Sequence, residues 1–192
     1  MTKHQHWFIL LFTLALYGFF TGCTEDSDEE LVGNWVELGD IDGSVRGDAV
    51  AFTIGDYAYV GTGYDGSEDV RLTDFWRYDP VKKTWMAIAP FPGAARSGAV
   101  AFAVNGKGYV GTGNANVIDE NGIATTKKMN DFFEYDPTSN TWTQIANFMG
   151  TGRYAAVAFA IGNYGYVGTG YDGAIKKDFY KYDPTSNTWT AV

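Results

Sequence analysis

The sequence predicts an all-β fold: a partial β-propeller of three four-stranded blades plus an orphan closing strand. Three observations predict it. A unit recurs three times, its first arginine stepping from Arg46 to Arg96 (50 positions) and on to Arg153 (57 positions), and such periods mark solenoids and propellers. Each unit holds four short runs of alternating aromatic, β-branched and polar residues bounded by turn residues. The composition, 24 glycines and 17% aromatics, suits short strands joined by tight turns, and no sustained 3.6-residue stripe follows the first two dozen residues.

The chain opens with MTKHQH and an almost wholly apolar run from Trp7 to Phe20. This is shorter than the roughly 20 residues that span a bilayer, and a basic start with a short apolar run describes an export signal. Phe20-Thr21-Gly22-Cys23 resembles the lipobox of bacterial lipoproteins, with Phe20 where that family usually has Leu. The resemblance implies a signal peptide over residues 1–22, cleavage before Cys23, and acylation of its thiol. Cys23 is the only cysteine, so no internal disulfide forms. Residues 23–32 carry Glu25, Asp26, Asp28, Glu29 and Glu30 and read as an acidic, solvated tether. Acids directly after the acylated cysteine resemble the surface-export signal of some outer-membrane lipoproteins. The expected location is therefore the bacterial cell envelope, with the acyl chain as the contact with the membrane. The formal charge of −9 becomes −10 once Lys3 leaves with the signal, which argues against nucleic acid or anionic lipid as partners.

The propeller region is expected over 33–192, with repeats at about 46–89, 96–146 and 153–192. In each, an Arg opens R-x-x-A-V-A-F, and 15 positions on comes the first Gly of a GTG element (46 to 61, 96 to 111, 153 to 168). A second block runs from Asp74, Asp131 and Asp178 through Tyr78, Tyr135 and Tyr182. It ends on Trp85, Trp142 and Trp189, 11 positions from each Asp. From Trp to the next Arg is 11 positions (85 to 96, 142 to 153), and Trp35 to Arg46 repeats that spacing. The strand at 34–38 therefore reads as the last strand of a preceding unit.

Within a unit, the AVAF run is short and apolar, as a buried inner strand is. The second strand returns through Gly55-Asp56, Asn105-Gly106 or Gly162-Asn163, tight hairpin signals, and ends in Gly61 and Gly63, Gly111 and Gly113, or Gly168 and Gly170. These glycines are expected to allow positive φ or close approach between blades. The tyrosines and tryptophans, Trp35 included, are expected to fill the wedge between sheets. The Pro after Tyr-Asp sets the turn into the outer strand.

These elements together resemble the kelch repeat over roughly Trp35 to Val192. One regular departure, Gly-Thr-Gly for the kelch double glycine, is expected to loosen the turn after the second strand. A sialidase Asp-box does not fit DPTSNTW, which lacks the Gly and places the Trp one residue too far. Kelch rings are commonly closed by a blade built from both chain ends. Three blades fall short of the typical 4–8, so the chain reads as the N-terminal part of a longer propeller, or as a half-ring that associates with another copy. The first is preferred, because dimerisation leaves the abrupt stop unexplained.

All length variation lies in 64–73, 114–130 and 171–177, on the face shared with the Trp-to-Arg connections, and such a face is where a repeat protein binds. Candidate ligand contacts there are Arg46, Arg96 and Arg153, whose guanidinium groups suit an acidic sugar or carboxylate, and Asp119, Glu120, Lys127 and Lys128 of the longest segment. A structural role, with each Arg bonded to backbone carbonyls or to a neighbouring blade's Asp, is the favoured alternative for the three arginines. DENG at 119–122 reads as a turn, lacking the spaced carboxylates of a calcium loop. No metal or cofactor is expected. The only histidines are His4 and His6, so the mature chain lacks the commonest general base, and it lacks the His and Cys ligands of the kelch-like copper radical oxidases. The expected function is a non-catalytic, lipid-anchored module that binds protein or glycan at the envelope. The alternative, implied by the kelch resemblance, is a sugar-processing enzyme similar to the sialic acid mutarotases, its site completed by further blades.

Overall fold

A computed structural model describes residues 38–192. The signal peptide, the tether, Cys23, Trp35 and the strand expected at 34–38, apart from Leu38, lie outside them. The described residues form an all-β kelch propeller segment of three four-stranded antiparallel sheets, each in simple sequential order.

Blade 1 consists of β1 (Val50–Ile54), β2 (Tyr57–Gly61), β5 (Phe75–Asp79) and β6 (Thr84–Ile88), with a two-residue hairpin, β3 (Tyr64–Asp65) and β4 (Val70–Arg71), between its middle strands. The short β7 (Arg96–Ser97) leads into blade 2. That blade is built from β8 (Val100–Val104), β9 (Lys107–Gly111), β12 (Phe132–Asp136) and β13 (Thr141–Ile145). Blade 3 follows with β14 (Val157–Ile161), β15 (Tyr164–Gly168), β16 (Phe179–Asp183) and β17 (Thr188–Ala191). The inner strands β1, β8 and β14 lie side by side. The segment 114–130 was expected to be a loop. It is instead a hairpin, β10 (Asn114–Ile118) and β11 (Ala124–Lys128), and β10 also pairs with β7.

Register and aromatics repeat together. Phe52, Phe102 and Phe159 pair with Tyr59, Tyr109 and Tyr166 and stack on them, with ring centroids 5.1, 5.0 and 5.4 Å apart. Between blades, Trp142 meets Phe75 edge-on at 5.0 Å, and Trp189 meets Phe132 at 5.1 Å. Offset and edge-on pairs of this kind contribute about 0.5–1.5 kcal/mol beyond the area they bury.

The tryptophans also tie the blades by hydrogen bonds. The Trp142 indole N–H donates to the Ala89 carbonyl and that of Trp189 to the Ala146 carbonyl, each acceptor lying four residues after the preceding Trp (85 to 89, 142 to 146). The Trp85 indole donates to Gly39 O at 2.9 Å, and 39 is four residues after 35. The contact pattern thus carries the repeat's phase back to the first described residues. Asn140 and Asn187 complete the joint. Each side-chain oxygen accepts its own blade's Tyr hydroxyl and a backbone N–H from the connection between blades (Ala89 and Ala146, all at 2.9 Å).

The Gly-Thr-Gly element is not loosened. Thr62, Thr112 and Thr169 take φ of 55, 59 and 59°, a left-handed conformation costly for a β-branched residue. They are held there from both sides. Each N–H donates to the backbone carbonyl of Asp74, Asp131 or Asp178 at 3.0–3.2 Å, and each carbonyl accepts from the blade's opening Arg. Gly61, Gly111 and Gly168 serve space, since a Cβ there would enter the ring of Phe75, Phe132 or Phe179.

Candidate functional site

Arg46, Arg96 and Arg153 open the blades beside the inner strands, but as buried structural groups. Arg96 and Arg153 are 0% exposed. Each guanidinium forms a two-pronged pair with the Asp of its own repeat: Arg46 with Asp74 (2.8 and 2.6 Å), Arg96 with Asp131 (2.6 and 2.8 Å), and Arg153 with Asp178 (2.6 and 3.0 Å). A guanidinium offers five N–H donors. Bonds to backbone carbonyls and, at Arg153, to Thr151 Oγ1 bring the number used to four at Arg46 and Arg96 and five at Arg153. The pairing is within a blade rather than with a neighbour's Asp. The rings of Phe91 and Phe148 lie 4.7 and 4.9 Å from the Arg96 and Arg153 guanidinium carbons, a cation–π contact. The corresponding residue of blade 1 is Ile41.

The Arg153 bonds, set against a smaller effect of burial, hold the Asp178 carboxyl below its ordinary value. At Asp74 burial pulls the other way, and the Arg46 and Trp76 hydrogen bonds outweigh it.

The four candidates of the longest segment are not brought together with these arginines. Asp119 caps the turn of the β10–β11 hairpin, its Oδ1 accepting the N–H groups of Asn121 and Ile123 at 2.9 Å. Glu120 and Lys127 are exposed, and the Lys128 ammonium stands 5.7 Å from the Tyr171 ring centroid.

A cleft of about 280 Å³ lies where the three blades meet on the face of the variable segments. The chain two residues past Arg46 and Arg96 lines it, and backbone bonds join these positions from blade to blade. Gly98 N–H donates to Asp48 O, and Ala155 N–H donates to Gly98 O, both at 3.0 Å, stitching blade to blade. Asp48 and Gly98 line the cleft together with Ser97 and Tyr154, one residue past Arg96 and Arg153.

One wall is the β3–β4 hairpin. Tyr64 pairs with Arg71 across it, and the Arg71 guanidinium stands 5.9 Å from the Tyr64 ring centroid. Arg71 Nε–H donates to Ser97 Oγ at 3.3 Å. Among the described residues Arg71 has no ion-pair partner. The Tyr64 hydroxyl donates to Asp69 at 2.7 Å, and that bond raises its pKa above the ordinary phenol value. Asn114, at the start of β10, adds a buried Oδ1 with no hydrogen-bond partner among the described residues.

The cleft therefore presents one unpaired cation, two carboxylates, two phenols and amide and hydroxyl groups, a set suited to a polyhydroxylated ligand, with Arg71 as the one group that would attract an anionic part of it. Among the described residues no cluster of His, Cys, Asp or Glu could hold a metal ion. The residue-by-residue sequence reading missed Arg71, Tyr64, Asp69 and Asn114, because they lie outside the two blocks of constant spacing, although Tyr64 recurs as Tyr171. The available signal was their position in the segments of variable length.

A family model described as N-acetylneuraminate epimerase matches residues 39–171. No match is found among curated proteins. A solved structure described as "Structure of YjhT" superposes with a TM-score of 0.66 at 19% sequence identity, covering 81% of this chain and 53% of that one. At that identity the likeness speaks for the fold, and this chain spans about half the length of the matched structure. With the family model covering more than two-thirds of the sequence, the chain belongs to the N-acetylneuraminate epimerase family.

Proposed function

We propose that the cleft is the part of an acidic-sugar site contributed by these three blades, and that the complete ring interconverts the anomers of N-acetylneuraminate. The observation that carries this reading is Arg71, a half-buried guanidinium facing the cleft without a carboxylate partner. Arg46, Arg96 and Arg153 are spent on their own aspartates. A guanidinium fork suits the sugar's carboxylate, and the Tyr64 and Tyr154 rings suit its carbon skeleton.

Opening and closing the sugar's ring requires one proton to leave the anomeric hydroxyl and one to reach the ring oxygen. Asp48 is a carboxylate placed to accept the first. Tyr64, whose hydroxyl is hydrogen-bonded to Asp69, donates the second by turning that hydroxyl from Asp69 to the ring oxygen. The family match favours this enzyme reading over the non-catalytic binder expected first.

The test is titration of the full chain with N-acetylneuraminate, observed by NMR on the sugar, alongside its methyl ester and the Arg71→Met variant. A hydrogen-bonded charge contributes about 1.5–3 kcal/mol, so ester and variant should each weaken binding roughly 10- to 150-fold. Equal binding of acid and ester would remove Arg71 from the reading. Anomer exchange rates in the same sample separate epimerisation from binding alone.

A further inference from the structure

The cleft holds one group that the fold does not account for. Among the described residues four side-chain atoms are buried without a hydrogen-bond partner, and of these Asn114 Oδ1 belongs to a residue of the cleft. The others are Oγ1 of Thr62 and Thr112 and Nε of Arg77, all outside it.

Strand pairing sets no demand for a carboxamide there. The residue after each Gly-Thr-Gly element pairs with the residue after its blade's opening Arg: Tyr64 with Gly47, Asn114 with Ser97, and Tyr171 with Tyr154. Tyrosine fills the position in blades 1 and 3, so the same backbone geometry is met without an amide. In blade 2 the backbone at that point is fixed from both sides, because Asn114 also pairs with Lys128 of β11. Cross-strand partners carry their side chains on one face of a sheet, with Cβ atoms about 4.5–5.5 Å apart. Asn114 therefore stands one strand away from Ser97, whose Oγ accepts from Arg71 Nε at 3.3 Å. The guanidinium and the unpartnered oxygen face the same cleft.

An amide oxygen accepts and does not donate, so its partner must bring a donor. A hydroxyl brings its proton together with two lone pairs that repel a buried acceptor. The nitrogen of an acylamino group has its lone pair drawn into a planar amide and holds its N–H in one direction. We infer that Asn114 is a specificity-determining residue that accepts the N–H of a sugar's acylamino group, and that acylamino sugars, charged or neutral, are the class the cleft selects. Asn114 has this role only if the cleft is the sugar site proposed above, but it acts independently of Arg71. On N-acetylneuraminate the carboxylate and the acylamino group leave opposite corners of the sugar ring, so one ring can turn the first to Arg71 and the second to Asn114.

Neutral sugars test this with Arg71 left out of the comparison. In titrations of the full chain observed by NMR on the sugar, N-acetylmannosamine should bind roughly 2- to 12-fold more tightly than mannose, the worth of one neutral hydrogen bond. Asn114→Leu, which removes the acceptor at similar volume, should erase that preference. It should leave the preference for N-acetylneuraminate over its methyl ester in place, which a general disturbance of the cleft would not. Asn114→Ala, which adds no bulk, repeats the comparison should leucine disturb the fold. Failure of N-acetylmannosamine to bind more tightly than mannose, or a preference that survives in both variants, would overturn the assignment. An acylamino preference that depends on Asn114, in a chain that binds acid and ester alike, would uphold Asn114 and remove Arg71.

Discussion

Replacing Asp131 with alanine strands a fully buried cation in the most enclosed of the three Arg–Asp pairs. Arg96 is 0% exposed and its partner's side chain 17%, so little water can replace the two bonds, 2.6 and 2.8 Å long, that are lost. A guanidinium cannot shed its proton, and the remaining acceptors, Thr112 O and Ala94 O, are dipoles rather than charges. Breaking a buried pair from one side costs about 3–5 kcal/mol, against a total stability of about 5–15 kcal/mol. Asp74→Ala should cost less, about 1–3 kcal/mol, because Asp74 is 36% exposed and water screens what remains. Urea unfolding at neutral pH, followed by tryptophan fluorescence and circular dichroism, measures both. Arg96→Met with Asp131→Leu should recover most of the loss, since apolar replacement of a whole buried pair is often neutral. A cost below about 1 kcal/mol for Asp131→Ala, or a larger cost for Asp74→Ala, would refute the burial argument.

Acid should act through the same pairs. The Asp74 and Asp178 carboxyls lie below their ordinary 3.8 in the folded chain. Their contribution is complete above that value and is lost as pH falls through the depressed one. Stability against pH should therefore bend downward below about pH 4, less steeply in Asp178→Asn. At the alkaline end burial raises Tyr135 and Tyr182 to about 12. Stability should decline above the ordinary phenol value of 10, as the unfolded chain ionises first. Cutting the β10–β11 hairpin back to the length of 171–177 while keeping Asn114 should leave the β-sheet circular dichroism intact, because loop length weighs little on stability; loss of folding would make the hairpin part of the blade.

Much of this fold was legible because kelch blades are built by recurrence. Tyr78 and Trp85, Tyr135 and Trp142, and Tyr182 and Trp189 recur at fixed spacing because each pair must meet across adjacent strands, at 4.9–5.0 Å between rings. The β10–β11 hairpin was not legible. Asn114–Ile118 and Ala124–Lys128 contain four β-branched residues, Val117, Ile118, Thr125 and Thr126, but no aromatic, and the backbone pairing of β10 with both β11 and β7 supplies what the side chains do not signal. The role of Gly108 and Gly165 was also hidden. Glycine in a strand usually signals conformation, whereas here it marks the footprint of a ring contributed by the previous blade, Phe52 at Gly108 and Phe102 at Gly165.

Recurrence misdirects in one respect, and Arg71 against Arg96 shows why. Three arginines at identical positions suggest a ring of charge around an axis, yet identical positions have identical neighbours, and a strand-opening Arg that recurs has an Asp that recurs with it. Each repeat thus neutralises its own cation, leaving four or five of five donors occupied. A group free to meet a ligand must lack such a fixed partner, and a residue outside the repeat pattern has none built in. Arg71, without a carboxylate partner among the described residues, and Asn114, with an unpartnered Oδ1, are of that kind: neighbours in the cleft, drawn from hairpins of unequal length. Placing aspartate across from Arg71, by Ser97→Asp, should make the point directly. The new carboxylate would pair with Arg71 as Asp131 pairs with Arg96, and the cleft should lose its preference for the acidic sugar over the ester while the blades keep their melting temperature. Retained preference would mean that the anion is held elsewhere.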